Sequence, residues 1–221
     1  MRVVLIAAKE LAVAKTRLRV ALAASDRIEL ARAMFCDVLQ ASTEVRGVDH
    51  VAVVSSDRDL LRRAQAAGAI AIDEEFPRGL NAAVRLATGA LVAGGASSVC
   101  TLLSDIPCVM AADIEQLFAV HERLLGSVGA GRAVALAPSH DLTGTNMIVR
   151  APADVVPIRF GSQSLARHLE ECRAAGVRCE IVQMARPALD LDLVEDLGKF
   201  VRFGNGAHTR NQLARLALPQ F

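Results

Sequence analysis

Five short apolar runs alternate with longer amphipathic stretches through the first two thirds of the chain, and that rhythm leaves few folds open. Val3–Ala8, His50–Val54, Ala69–Ile72, Ser98–Leu103 and Ala133–Ala137 are each too short for a buried helix, and they read as strands. Val3–Ala8 is apolar without interruption, the pattern of a strand covered on both faces. Between the runs, Arg27–Leu39 spaces Ile28, Leu30, Ala31, Met34, Phe35, Val38 and Leu39 as one helical face, with Ser25 or Asp26 as the expected cap. Ser55-Ser56-Asp57 opens a second helix ending at Gly68, and Leu80–Val92 and Ala112–Leu125 are two more. Strand and helix in alternation predict right-handed crossovers and a mostly parallel central sheet between helical layers, a Rossmann-like three-layer α/β sandwich with Ser98–Leu103 as a central strand.

After Pro138 the rhythm breaks into a polar loop, a strand near Asn146–Arg150, a Pro-rich link, a helix over Ser164–Ala175 and a strand at Cys179–Val182. Irregularity of this kind late in an α/β chain builds the second side of a site. Gly204–His208 reads as a hinge before a final helix, Thr209–Leu218, that packs on the body or on a partner. A length of 221 residues suits one domain, 1–221. A net charge of +1 and an aromatic content of 3 %, all Phe, exclude a nucleic-acid footprint or a stacking platform, so any anionic partner is small. The apolar runs are too short to span a membrane, and the expected location is the cytoplasm. Cys36, Cys100, Cys108, Cys172 and Cys179 are odd in number and lack C-x-x-C spacing, which argues against a disulfide framework or a structural zinc site.

Of 25 basic residues 22 are arginine, yet two of the three lysines, Lys9 and Lys15, fall in the loop after the first strand, beside Arg17. A compact ammonium differs in effect from a planar guanidinium, and the carboxyl ends of parallel strands are where open α/β sheets bind ligands. Lys9, Lys15 and Arg17 are therefore candidates for a nucleotide's phosphates. Asp105, in Leu103-Ser104-Asp105-Ile106-Pro107, stands where a buried strand ends and would project into the same crevice, unless it caps the next helix. Asp190 and Asp192, two apart in Leu189-Asp190-Leu191-Asp192-Leu193, point to one side of an extended segment, with the leucines turned to the core; a solvated edge strand is the alternative. Three aspartates converging at strand ends favour a magnesium site, because magnesium takes carboxylate and phosphate oxygens. Thr143-Gly144-Thr145-Asn146 offers an anion nest, and Phe160-Gly161-Ser162-Gln163-Ser164 precedes a helix whose N-terminus suits a phosphate, with Ser162 or Ser164 as cap and His168 one turn on. Asn81 and Ser55 are either caps or contacts to a base or ribose. No P-loop, dinucleotide or nucleophile-elbow signature is present.

Taken in order, Ala8-Lys9-Glu10-Leu11 with Ala14-Lys15-Thr16-Arg17-Leu18, Leu103 to Pro107, Thr143 to Asn146, Arg159 to His168 and Leu189 to Asp192 resemble the 2-phospho-L-lactate or phosphoenolpyruvate guanylyltransferase family of coenzyme F420 biosynthesis, over about residues 2–197. The resemblance implies a nucleotide-diphospho-sugar transferase fold of the glycosyltransferase-A type, GTP as donor, Mg2+, and a phosphorylated three-carbon acid as acceptor. It places metal at Asp105, Asp190 and Asp192, the acceptor at Thr145, Gly161 and Ser164, and GTP phosphates at Lys9, Lys15 and Arg17. Broader nucleotidyltransferases carry glycines in the first loop, and this chain has none between Ala7 and Arg17, as in the narrower family. Residues 198–221 find no clear match. An acceptor phosphate is largely dianionic at neutral pH, so attack on the α-phosphorus needs no general base and the absence of a Ser-His-Asp set costs nothing. The catalytic candidates are then Lys15, Asp105 and Asp192. A cytidylyl-, uridylyl- or molybdopterin-directed enzyme, a non-catalytic nucleotide-binding subunit, and a homodimer joined through the tail or a sheet edge remain open on the residues alone.

Overall fold

The structure is a computed structural model that describes residues 1–128 and 131–216. Seven strands, β1 (Arg2–Ala7), β2 (His50–Ser55), β3 (Ile70–Asp73), β4 (Ser98–Leu103), β5 (Ala133–Pro138), β6 (Thr145–Ala151) and β7 (Arg178–Ile181), form one sheet in the order β3-β2-β1-β4-β6-β5-β7. All pairings are parallel except those of β6, which runs against β4 and β5. β4 is the middle strand. The α-helices among the described residues are α1 (Ala24–Thr43), α2 (Arg58–Ala66), α3 (Leu80–Ala93), α4 (Ala111–Val128), α5 (Ser164–Ala174), α6 (Val194–Phe203) and α7 (Ala207–Arg215).

Alternate residues of β1 go to opposite layers: Val4 and Ile6 join a core with α1, α2, α4, α6 and α7, while Val3, Leu5 and Ala7 join a second core with α3 and α5. The uninterrupted apolar run is therefore the signature of a strand with helices on both faces. Asp57 caps α2, its Oδ1 accepting from the N–H groups of Asp59 (2.9 Å) and Leu60 (3.2 Å). The expected caps elsewhere are replaced. α1 starts ahead of Ser25 and Asp26, which fall inside its first turn, behind an Ala23 that makes no side-chain bond. At α3 the cap position is Gly79, at φ +90°, and Asn81 falls inside the first turn.

The expected hinge is a pinned connection. Asp37, buried on α1, accepts from the N–H groups of His208 (2.9 Å) and Thr209 (2.8 Å) and so caps α7. A Cβ on Gly206 would lie 2.5 Å from Asp37 Oδ2 and 2.6 Å from the Pro107 carbonyl, so the backbone passes closely between α1 and the segment before α4. α7 thus packs on the body of its own chain, and the end of the expected final helix, Leu218, lies outside the described residues. No helix among the described residues is long and apolar enough to cross a membrane. All five cysteines are free thiols.

Candidate active site

The loop from β1 to α1 carries two short 3-10 turns, Leu11–Val13 and Thr16–Val20. Leu11, Leu18 and Leu22 bury their side chains beneath it, and the Leu11 N–H donates to Asp57 Oδ2 (3.0 Å), which ties the loop to α2. Between the turns Lys15 adopts φ +52° without being glycine, a conformation costing roughly 1 kcal/mol that tertiary contacts must hold. Those contacts are electrostatic. Lys15 Nζ donates to Asp105 Oδ2 (2.8 Å) and to Asp192 Oδ1 (2.7 Å), and its side chain is only 5 % exposed. Burial alone would lower the Lys15 pKa, but the Asp105 and Asp192 carboxylates outweigh it and hold the ammonium above its ordinary value. Arg17, mostly in solvent, reaches to 3.6 Å from Asp192 Oδ2, and Lys9 lies exposed at the rim.

Asp105 follows β4 directly, and its backbone carbonyl accepts from the Leu191 N–H (3.1 Å), which stitches the two aspartate segments together. The second segment is not the edge strand expected from its alternation. It is irregular chain between β7 and α6, with Leu191 buried but Leu193 46 % exposed, because side-chain clamps rather than a strand ladder set its path. Arg186 grips buried Asp113 at the start of α4 with two hydrogen bonds (2.9 and 2.7 Å). Asn146 Nδ2 donates to the Pro187 carbonyl (2.9 Å), and the His140 N–H to that of Ala188 (3.0 Å). The Asp196 carboxylate accepts from the N–H groups of Asp192 (3.3 Å) and Leu193 (2.9 Å). Asp190 is raised by burial and then by the nearby Asp105 and Asp192 charges; Asp192, which burial would raise, is lowered by Lys15 instead. Opposite directions on two neighbouring carboxylates mark where the ammonium stands.

The anion nest expected at Thr143–Asn146 is filled by the chain itself. Asp141 accepts from the N–H of Thr143 (3.0 Å), Ser139 Oγ from that of Gly144 (2.8 Å), and Ser164 Oγ from that of Thr145 (2.7 Å). Ser164 is consequently no cap; Gln163, at φ +55°, holds the cap position of α5. His168 is fully buried, with Nε2 accepting from the Arg159 N–H (2.9 Å) and Nδ1 3.0 Å from Thr145 Oγ1. An acceptor at Nε2 puts the ring proton on Nδ1, so Thr145 receives that bond and keeps its own hydroxyl proton to donate. Burial, and then the Arg150 charge, lower the His168 pKa to about 4. Asn81 locks the next loop in a reciprocal pair, Nδ2 to the Phe160 carbonyl (3.0 Å) and Phe160 N–H to Oδ1 (2.8 Å). Ser55, fully buried, accepts from the Asp57 N–H (3.0 Å). Asn81 and Ser55 border neither of the clefts described next; their amide and hydroxyl shape loops.

Two clefts open at the carboxyl ends of β1 and β4. One, of about 340 Å³, lies under the first loop and is bordered by Lys15, Thr16 and Ser104. The other, of about 450 Å³, is bordered by Thr143–Asn146, Gly161–Ser164 and Asp190. They share Lys9, Arg17, Asp105 and Asp192, together with Leu80 and Leu103. Thr145, Gly161 and Ser164 thus come together in the second cleft, and the expected phosphate residues in or beside the first. Gly161, at φ +116°, turns the chain where an added Cβ would meet nothing within 4 Å, so it is conformation, not space, that requires glycine there. Asp196, Ser139 and Asp141 also border the second cleft and went unnoticed in the sequence, although Asp196 three residues after Leu193 has the spacing of a helix-start acceptor. Among the described residues no three His, Cys, Asp or Glu side chains surround a common point, since Lys15 stands between two of the candidate ligands. The donor set nonetheless suits a hard divalent cation: it is all carboxylate, and Asp105 Oδ1 is buried without a hydrogen-bond partner among the described residues.

The family described as guanylyl transferase, CofC like, matches residues 1–219. A phosphoenolpyruvate guanylyltransferase of Conexibacter woesei is 35 % identical over 208 residues, 92 % of this chain and 91 % of that protein. A 2-phospho-L-lactate guanylyltransferase of Methanothermobacter thermautotrophicus is also 35 % identical, over 92 % of this chain and 85 % of that protein. So is a 3-phospho-D-glycerate guanylyltransferase of Phenylobacterium zucineum, over 92 % and 91 %. Among solved structures, a nucleotide-diphospho-sugar transferase of Desulfovibrio desulfuricans shares the fold, with a TM-score of 0.68 at 20 % identity over 96 % of this chain and 94 % of that one.

Proposed function

The chain belongs to the CofC-like guanylyl transferase family, and from that premise we propose that it transfers GMP from GTP to the phosphate of a small phosphorylated three-carbon acid, releasing pyrophosphate, in the assembly of coenzyme F420. The observation that carries the proposal is the wall shared by the two clefts: Lys9, Arg17, Asp105 and Asp192 border both. A nucleotide in the first cleft and a phospho-acid in the second would bring two phosphates to the same charged seam. Holding the reacting groups in line at such a seam accounts for most of what an enzyme of this class has to do.

The acceptor's phosphate oxygen attacks the α-phosphorus, a new P–O bond forms, and the bond to the pyrophosphate oxygen breaks. Because the nucleophile is already ionised, no residue of this chain needs to take its proton. Lys9 and Arg17, exposed at the seam, neutralise phosphate oxygens on either side of the reacting atom. Lys15, at the nucleotide end, follows charge onto the departing pyrophosphate. The Thr145 hydroxyl, with its proton free because His168 supplies the other bond, donates to the acceptor, while Gly161 and Ser164 shape the backbone around it. Asp105, Asp190 and Asp192 would hold a divalent cation, magnesium by their hard oxygen donors, which supplies charge neutralisation on the phosphate oxygens when bound.

Relatives of equal identity carry names with three different acceptors, so overall similarity does not choose among phosphoenolpyruvate, 2-phospho-L-lactate and 3-phospho-D-glycerate. The choice lies in a few atoms of the second cleft. The test is pyrophosphate release from GTP by Asp105→Ala and Asp192→Ala: each should lose about a hundredfold or more in kcat while keeping the fold. Full release by both variants would remove the metal and catalytic assignments together.

A further inference from the structure

Two of the three aspartates are held on one ammonium. Lys15 Nζ makes its two short contacts with Asp105 and Asp192, and its side chain is shut away from solvent. Asp190 borders the second cleft together with both of them. Arg17, whose side chain is 71 % exposed, reaches to 3.6 Å from Asp192 Oδ2, and Lys9 lies exposed at the rim of the same wall. The same cluster leaves Asp105 Oδ1 buried and without a hydrogen bond among the described residues, although an ionised carboxylate oxygen is a strong acceptor. The segment that delivers the ammonium is also held away from its lowest-energy backbone. Lys15 is at φ +52° between two short 3-10 turns, a conformation that persists only while its surroundings enforce it.

We propose that Lys15 is an exchangeable internal counter-ion: a divalent cation entering the Asp105–Asp190–Asp192 cluster takes its place between Asp105 and Asp192, and the released ammonium turns into the nucleotide cleft. The inference rests on the metal reading above and extends it to the order in which the site is assembled. A divalent cation sets twice the ammonium's charge between the two carboxylates, and as a hard cation it gains the unpartnered Asp105 oxygen as a ligand. Lys15 then lies free beside the cleft it already borders, where phosphate oxygens are its next partners. The exchange links metal binding to delivery of a phosphate ligand, so neither is complete without the other.

The chain has only three lysines, which makes the exchange directly readable. Full-length protein without nucleotide is treated with a limiting amine-acylating ester at increasing MnCl2, and acylation at Lys9, Lys15 and Lys199 is followed by peptide mass spectrometry. Calorimetry under the same conditions reports Mn2+ occupancy. Lys15 should react at least about tenfold more slowly than Lys9 without metal, as a buried and paired amine does, and its rate should rise in step with Mn2+ occupancy while the other two stay constant. Lys15→Met and Lys15→Gln, with no ammonium to displace, should bind Mn2+ about tenfold more tightly than the parent chain. Mn2+ binding with Lys15 still protected, or with affinity no greater in both variants, overturns the exchange and leaves guanylyl transfer standing. Absence of Mn2+ binding by calorimetry overturns the exchange and the metal assignment, and pyrophosphate release from GTP tells separately whether the transfer reading survives.

Discussion

At Lys15 an arginine would keep the charge and spoil the geometry. One compact nitrogen meets Asp105 Oδ2 and Asp192 Oδ1 at 2.8 and 2.7 Å, whereas a guanidinium presents a planar fork that pairs best with a single carboxylate. Lys15→Arg should therefore lower kcat by about a hundredfold while shifting Tm by no more than a few degrees. Normal turnover in that variant would reduce the loop to a general positive potential. Ionisation at this cluster also sets limits on stability. Asp192, lowered on folding, stabilises the fold above its unfolded pKa, and that contribution is lost as pH falls through its folded value. Lys15, raised on folding, stabilises below about 10.5, and its contribution is lost as pH rises through its folded value. His168 and His121 work in a different window. Both are buried and lowered from 6.5 to about 4, so between those values the unfolded chain takes up protons that the folded chain refuses, and stability drops as pH falls. Urea midpoints should decline from pH 6.5 to 4, with a shallower slope in His168→Gln; an identical slope would mean that the ring is not held neutral. The sequence showed His168 near a helix start. It did not show that the ring faces inward to Thr145, since that depends on a strand nineteen residues upstream of Ser164 meeting the same helix.

Among the elements, the strands with uninterrupted apolar runs were legible because burial on both faces leaves a mark on every residue. β6 was legible as a strand, but its direction was not: reversal follows from how the Pro138–Thr145 turn is built, through Asp141 and Ser139 accepting local N–H groups. The Leu189–Leu193 segment misled for the same kind of reason. Alternating leucine and aspartate fits a strand, yet Arg186, Asn146 and Asp196 hold the chain by its backbone and by Asp113, contacts spread over some eighty residues of sequence. Gly204 and Gly206 suggested freedom where close approach was the requirement. Asp37→Ala removes the cap of α7, and Gly206→Ala forces a Cβ against Asp37 and the Pro107 carbonyl. Each should cost about 1–2 kcal/mol, a Tm lower by roughly 2–8 °C for a chain of this size, with kcat unchanged. A loss of turnover without loss of stability would instead tie α7 to the reaction.

For the whole molecule, the sheet order explains why the site lies where it does. The parallel strands β1 and β4 end side by side, which sets the loop of Lys15 against Asp105, and the antiparallel β6 between β4 and β5 opens the second cleft next to the first. Asp105 and Thr145 stand at the ends of β4 and β6, where the sequence pattern marks them, while Lys15, Asp190 and Asp192 reach the clefts on chain outside the sheet. Asn81 and Ser55 bond to loop backbone, which the sequence does not show, since a short polar side chain at a helix start looks the same whether it meets a ligand or a loop. The central claim is transfer of a guanylyl group across the seam between the clefts, and mass detection of the product tests it most directly. The chain is incubated with MgCl2, each of GTP, ATP, CTP and UTP in turn, and phosphoenolpyruvate, 2-phospho-L-lactate or 3-phospho-D-glycerate. The account predicts pyrophosphate and a guanosine diphosphate-linked acid from GTP with at least one acceptor, and little product from the other nucleotides. A preference for CTP or UTP, or no nucleotide-linked acid from any combination, would contradict it.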